Sequence, residues 1–116
     1  MHVVPIAQAP LYDAPGHHAM AMRRLQGREA GPSDSVWIGL SEIAPGGGTT
    51  ASASAVEKFY VVLEGHVDVA ANTATGAASR ARLGPLDSCR IAPGESRQLS
   101  NPTERPCRLL LVMPNA

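Results

Sequence analysis

The chain has 116 residues, and its ten Lys/Arg and ten Asp/Glu cancel to a formal net charge of zero. That length suits one domain able to bury roughly two-thirds of its unfolded surface, so residues 1–116 are expected to form a single unit. No run of like charges creates the field that draws a protein to nucleic acid or an anionic membrane, and neither partner is expected.

The first ten residues lack a basic start and are broken by Pro5 and Pro10, so they do not read as a secretory signal. No apolar run nears the ~20 residues a membrane span requires. Cys89 and Cys107 are the two cysteines, and free thiols in a reducing cytoplasm are the expectation.

Eleven glycines and ten prolines cut the chain into short segments with no sustained helical period. Residues 1–17 read as an N-terminal arm. His18–Leu25 is assigned to a strand, although its alanines, methionines and arginines also favour a helix. Gly27–Ser35 is a loop, Val36–Ile43 a strand, and Pro45–Gly48 a glycine corner. Phe59–Leu63 carries the strongest strand signal, and Glu64-Gly65 is expected to turn it into a hairpin with His66–Ala70. Asn72–Ser79 is small and polar enough for a hairpin tip before Arg80–Leu83. The strands Asp87–Ile91, Arg97–Ser100 and Arg108–Met113 follow. Many short strands at regular spacing mean an all-β sandwich or barrel.

Two segments resemble the paired motifs of the cupin superfamily. The first runs from Pro45 through Phe59-Tyr-Val-Val-Leu-Glu-Gly65. The family pattern there is His, any residue, His, three or four residues, Glu, six residues, Gly. Counting back from Gly65 places Lys58 at the Glu and, with the four-residue spacing, Ala51 and Ala53 at the two His. The second runs from Leu83 to Asn101, where Gly94 and Asn101 match; the leading Gly falls at Leu86, the Pro at Ala92 beside Pro93, and the His at Arg97.

The resemblance covers roughly residues 36–113. It implies a cupin-like jelly-roll β-barrel of two antiparallel sheets, of the RmlC-like, single-domain cupin 2 type. It also implies a homodimer that exchanges or pairs N-terminal strands, and a pocket inside the barrel where the motifs meet. The ligand positions would read Ala51, Ala53, Lys58 and Arg97, so neither a metal nor another cofactor is expected. A shift of one residue at a β-bulge would turn Glu57 inward instead of Lys58, and the six-residue count to Gly65 favours Lys58.

Lys58 is the chain's only lysine, against nine arginines. Neither cation can coordinate another cation, and alanine offers no lone pair. The replacements suit a small anionic organic ligand, a carboxylate, enolate or phenolate held by Lys58 and Arg97. Two buried like charges require a lysine that titrates low, a protein carboxylate between them, or a bound anion. Taken singly, each side chain reads as an ordinary one lying along the barrel mouth with its charge in water.

By strand alternation Tyr60 shares the face of Lys58, while Cys89, Ile91 and Leu99 share that of Arg97. These are core positions first. Tyr60 is also a candidate hydroxyl donor to a ligand, and Cys89 a candidate ligand contact and nucleophile. His17 or His18, on a strand over the pocket mouth, is the place to look for a rebuilt metal site.

Four functions follow. One is a metal-independent enzyme of isomerisation, elimination or cyclisation, with Lys58 as catalytic base or electrophile and Arg97 holding the anion. The others are a non-catalytic binding or accessory cupin, a barrel filled by side chains, and a metal-dependent dioxygenase with non-standard ligands.

Overall fold

The computed structural model describes residues 1–115. It has ten strands: β1 Leu11–Tyr12, β2 His17–Gln26, β3 Val36–Thr49, β4 Ser52–Ala53, β5 Lys58–Glu64, β6 Val67–Asn72, β7 Ala78–Leu83, β8 Ser88–Ile91, β9 Ser96–Ser100 and β10 Cys107–Pro114. Single 3-10 turns at Ile6–Gln8 and Arg28–Ala30 interrupt the N-terminal third. Hydrogen bonds run along the path β7-β6-β9-β3-β10-β5-β8, with β2 added on β3, β1 on β2 and β4 on β9. Every pairing is antiparallel. The sheet curls into a nearly closed jelly-roll barrel, the fold class expected from the sequence.

Alternation along each strand sets the interior. Lys58, Tyr60 and Val62 on β5 are buried, whereas Phe59 and Leu63 are exposed. Val67, Val69 and Ala71 on β6, Leu99 on β9 and Leu109 on β10 complete the pattern. With Ile43, Leu83, Ile91 and Cys107 they form one apolar cluster. Each fully buried aliphatic side chain contributes about 1.5–3 kcal/mol.

Two expectations need correction. Phe59–Leu63 and His66–Ala70 do not form a hairpin: β5 pairs with β10 and β8, and β6 with β7 and β9. Gly65, at φ 76°, carries the chain from one half of the barrel to the other, and a Cβ there would lie 2.4 Å from the Pro106 carbonyl oxygen. Val62 and Val67 thus enter the same core from different halves. Strands that face each other and strands that pair side by side present the same alternation in sequence, which is why the pattern did not separate them.

The glycine segment is likewise no corner. β3 runs through it to Thr49, and the register against β2 slips between His18 and Met20, so the surplus residues bulge out of β3. Gly48 lies so close to β9 that a Cβ would stand 2.2 Å from the Leu99 carbonyl oxygen. The glycine serves close strand approach.

Asn101 closes the barrel at the end of β9. Its side-chain amide donates to the carbonyls of Ile43 (2.9 Å) and Arg105 (2.8 Å), while its oxygen accepts from the backbone and hydroxyl of Thr103. Cys89 and Cys107 are both free thiols. No helix among the described residues is long and apolar enough to cross a membrane.

Candidate functional site

The short strand β4 exists because it pairs with β9, placing Ser52 opposite Arg97 and Ala53 opposite Ser96. Directly opposed residues share a face, so Ser52, though as exposed as Ala51 and Ala53, turns its hydroxyl to Arg97 and the two alanines do not. The inherited positions are therefore Ser52 and, two residues on, the half-buried Ser54, reached with the three-residue spacing of the family motif. The structure overturns Ala51 and Ala53 by one step of the strand. It keeps Lys58 inside and turns Glu57 outward to an ion pair with Arg90.

Lys58 and Arg97 are only 5% and 6% exposed, so most of each side chain lies inside the barrel, while the unpartnered Lys58 nitrogen keeps some accessible surface. The Arg97 guanidinium is held along one edge. Its Nε donates to the Tyr60 hydroxyl oxygen (2.8 Å), and Nη1 donates to Thr49 Oγ1 (3.2 Å), the Thr50 carbonyl (3.3 Å) and Ser52 Oγ (3.0 Å). Thr49 is itself fixed by accepting from the Leu99 amide at 3.0 Å. Nη2 donates to no described residue, so the guanidinium keeps a free edge in a fixed orientation.

The Lys58 ammonium makes no hydrogen bond or ion pair with any described residue. The ion pairs among the described residues are Arg24–Glu29, Arg82–Asp68 and Arg90–Glu57, and none involves either buried cation. Of the three ways to sustain two buried positive charges, a neutralising protein carboxylate is thus ruled out. Burial, and then the Arg97 charge, lowers the Lys58 pKa to about 8. Burial raises the Tyr60 phenol, with Arg97 opposing. Tyr60 therefore stays protonated, and with its oxygen accepting from Arg97 its O–H is free to donate.

Cys89 lies opposite Tyr60 on β8 and is half-buried. Its thiol is raised by burial and by the charge of Glu95, against a backbone hydrogen bond from Tyr60. That disfavours the thiolate, and Cys89 stands on a cavity wall. Sequence reasoning missed Thr49 and Ser52. The signal for Ser52 was the alternation Thr50, Ser52, Ser54, polar at every second position.

Tyr12, also not foreseen, closes the barrel end near Gly39. Arg24 stacks over its ring at 3.5 Å and over Trp37 at 4.2 Å.

A cupin metal would need imidazole or carboxylate donors here, and Ser52, Ser54, Lys58 and Arg97 do not fit one. The histidines do not rebuild it: His18 is exposed, and the Nδ1 of His17 is 2.8 Å from the Pro15 carbonyl. Among the described residues no three His, Cys, Asp or Glu side chains converge.

The fold is that of a cupin whose ligand positions carry other residues, and comparison with known proteins agrees on that fold. A Mycobacterium tuberculosis protein named Beta-D-galactosidase Rv1717 is 42% identical over 113 residues, spanning 97% of this chain and 93% of that one. The polyketide cyclase RemF from Streptomyces resistomycificus superposes with a TM-score of 0.82 at 24% identity, over 100% of this chain and 80% of the cyclase. An RmlC-like cupin from Shewanella frigidimarina gives 0.76 at 17%, over 100% and 92%. A cupin-2 domain from Rhodospirillum rubrum gives 0.73 at 17%, over 93% and 68%. No family model matches the chain. The chain belongs to the family of the Mycobacterium tuberculosis protein and has the cupin fold; the solved structures, all below 25% identity, speak to that fold alone.

Proposed function

We propose that this protein is a metal-independent cupin that holds a small organic anion between Arg97 and Lys58. The single observation behind this is the pair of buried cations with no protein carboxylate to neutralise them. The free Nη2 edge of Arg97 receives the anionic group, and the Tyr60 hydroxyl donates a hydrogen bond to it. Lys58, with its pKa near 8, is the group able to exchange a proton near neutral pH. Isomerisation, elimination or cyclisation at an acidic carbon is the matching chemistry. Thermal-shift titration with small carboxylates and phenolates tests it: the wild type should be stabilised and a folded Arg97→Ala protein should not. Equal responses from both would refute the site.

A second reading is favoured by the relative named as a β-D-galactosidase. Glycoside hydrolysis ordinarily uses two carboxyl groups flanking the scissile bond, and no carboxylate accompanies Lys58 and Arg97. A pair does flank an outer groove of about 400 Å³, where Glu42 and Glu64 stand on either side of Arg108 on neighbouring strands. Assay of a nitrophenyl β-D-galactoside with wild type, Glu42→Gln, Glu64→Gln and Lys58→Met separates the two. Activity lost only in the glutamate variants would support the groove; activity lost only in Lys58→Met would return it to the barrel.

Pairing of two copies is proposed for the outer face of β3, β5 and β10, where Val36, Phe59 and Leu63 are exposed. Light scattering should then give the mass of a dimer, reduced to a monomer by Phe59→Glu. Residence in a reducing compartment, where both cysteines stay thiols, is the matching proposal for location.

A further inference from the structure

The edge strands β7 and β8 come together without pairing, and between them opens a cavity of about 120 Å³. Val69, Ala71, Cys89 and Ile91 form its inner wall, and Arg80 and Glu95 stand among its remaining lining residues. Three of the inner residues are the direct cross-strand neighbours of the polar site: Ala71 of Arg97, Ile91 of Lys58 and Cys89 of Tyr60. Side chains directly opposite on one face touch, so these three form a single layer of side chains between the seam and the cations, which do not themselves line it.

The volume corresponds to about four waters, which limits a ligand to a few carbons. The chemistry behind that layer is equally restrictive. A guanidinium with one free edge, fixed by four hydrogen bonds on the other side, recognises a carboxylate. Across the lumen, close enough for the two charges to repel, stands the amine of a buried lysine, bonded to no described residue and keeping some accessible surface at its nitrogen. An amine in that position, aligned by the held carboxylate, is placed to meet a carbonyl carbon of the same molecule.

We propose that the seam admits a small keto acid, whose carboxylate docks on Arg97 and whose carbonyl condenses with Lys58. This rests on the anion-site reading above and adds the substrate class and the covalent step. The neutral amine attacks the carbonyl carbon and forms the C–N bond. The carbonyl oxygen takes up two protons, which balance those the nitrogen gives up, and leaves as water. The resulting imine, once protonated, draws electrons from the adjacent carbon and eases loss of a proton there.

Borohydride trapping of the whole protein with pyruvate, read by peptide mass spectrometry, is the test. Lys58 is the only lysine, so the α-amino group of Met1 is the one competing primary amine and serves as an internal control. One reduced adduct on Lys58 is expected, absent in Lys58→Arg. Acetone, which lacks the carboxylate, should label Lys58 at least tenfold less. Pyruvate should also slow alkylation of Cys89 in the wild type, a readout that needs no variant to fold.

Adduct on Met1 alone would overturn the covalent step. If pyruvate still raised the melting temperature and protected Cys89, the anion-site reading would survive that loss. Neither stabilisation nor protection would sink pyruvate binding at the seam, and silence across the carboxylate and phenolate titration as well would sink the anion site too. Equal trapping of pyruvate and acetone would remove Arg97 as the carboxylate receptor.

Discussion

The barrel has two interiors. Around β10, Ile43, Val62, Val67, Cys107 and Leu109 are each 0% exposed and form a dry apolar packing. Around β9 and β4, the same inward positions carry Arg97, Thr49, Ser52 and, across the lumen, Lys58 and Tyr60. The first region is explained by burial alone. The second costs stability, because two cations are removed from water without a counter-charge. Such a cost, concentrated at the positions where related barrels perform their chemistry, is what a functional site leaves behind.

The largest effect should come from the apolar region. Leu109→Ala should lose about 2–5 kcal/mol by the transfer and cavity terms, read from denaturant midpoints. It should leave the pKa of Lys58 unchanged.

Lys58→Met should move the other way. The folded pKa of about 8 lies below the usual lysine value of 10.5, so below pH 8 both states hold the proton and the folded state carries the full penalty. Between about pH 8 and 10.5 the unfolded chain binds more protons, and stability therefore rises with pH. The depression corresponds to about 3 kcal/mol at most. Lys58→Met should gain up to that amount at pH 7 and lose the upward slope above pH 8. A parallel pH profile in the two proteins would mean that Lys58 is solvated.

Thr49→Val is a smaller probe. It leaves the Leu99 amide unsatisfied, while Arg97 Nη1 keeps Thr50 and Ser52 for its two hydrogens, and should cost about 1–3 kcal/mol, together with a weaker response to carboxylates. Smallest of all, Arg82→Ala removes only an ion pair with Asp68 on the outside of β6 and β7. It should leave both the midpoint and the ligand response unchanged.

Much of the fold was legible because alternation survives in short strands. Phe59–Leu63, Arg97–Ser100 and Arg108–Met113 all lie within observed strands. Strand partnership was not legible, since Val62 and Val67 look the same whether paired or facing. At the site, Lys58 and Arg97 could be placed because Gly65 and Gly94 anchor the count. Ser52 was missed because the family spacing allows three or four residues there, and one residue reverses the face of a strand. The state of the Cys89 thiol turned on burial first and on Glu95 second, both set only by folding.

A lone lysine makes the decisive measurement simple. Labelling with lysine carrying carbon-13 at Cε gives a single side-chain resonance, which reports the titration of Lys58 directly. A midpoint near 8 that rises when a small carboxylate is added is the outcome required by two unneutralised cations inside the barrel. A midpoint near 10.5, indifferent to anions, would show that the ammonium sits in water and that the site does not exist.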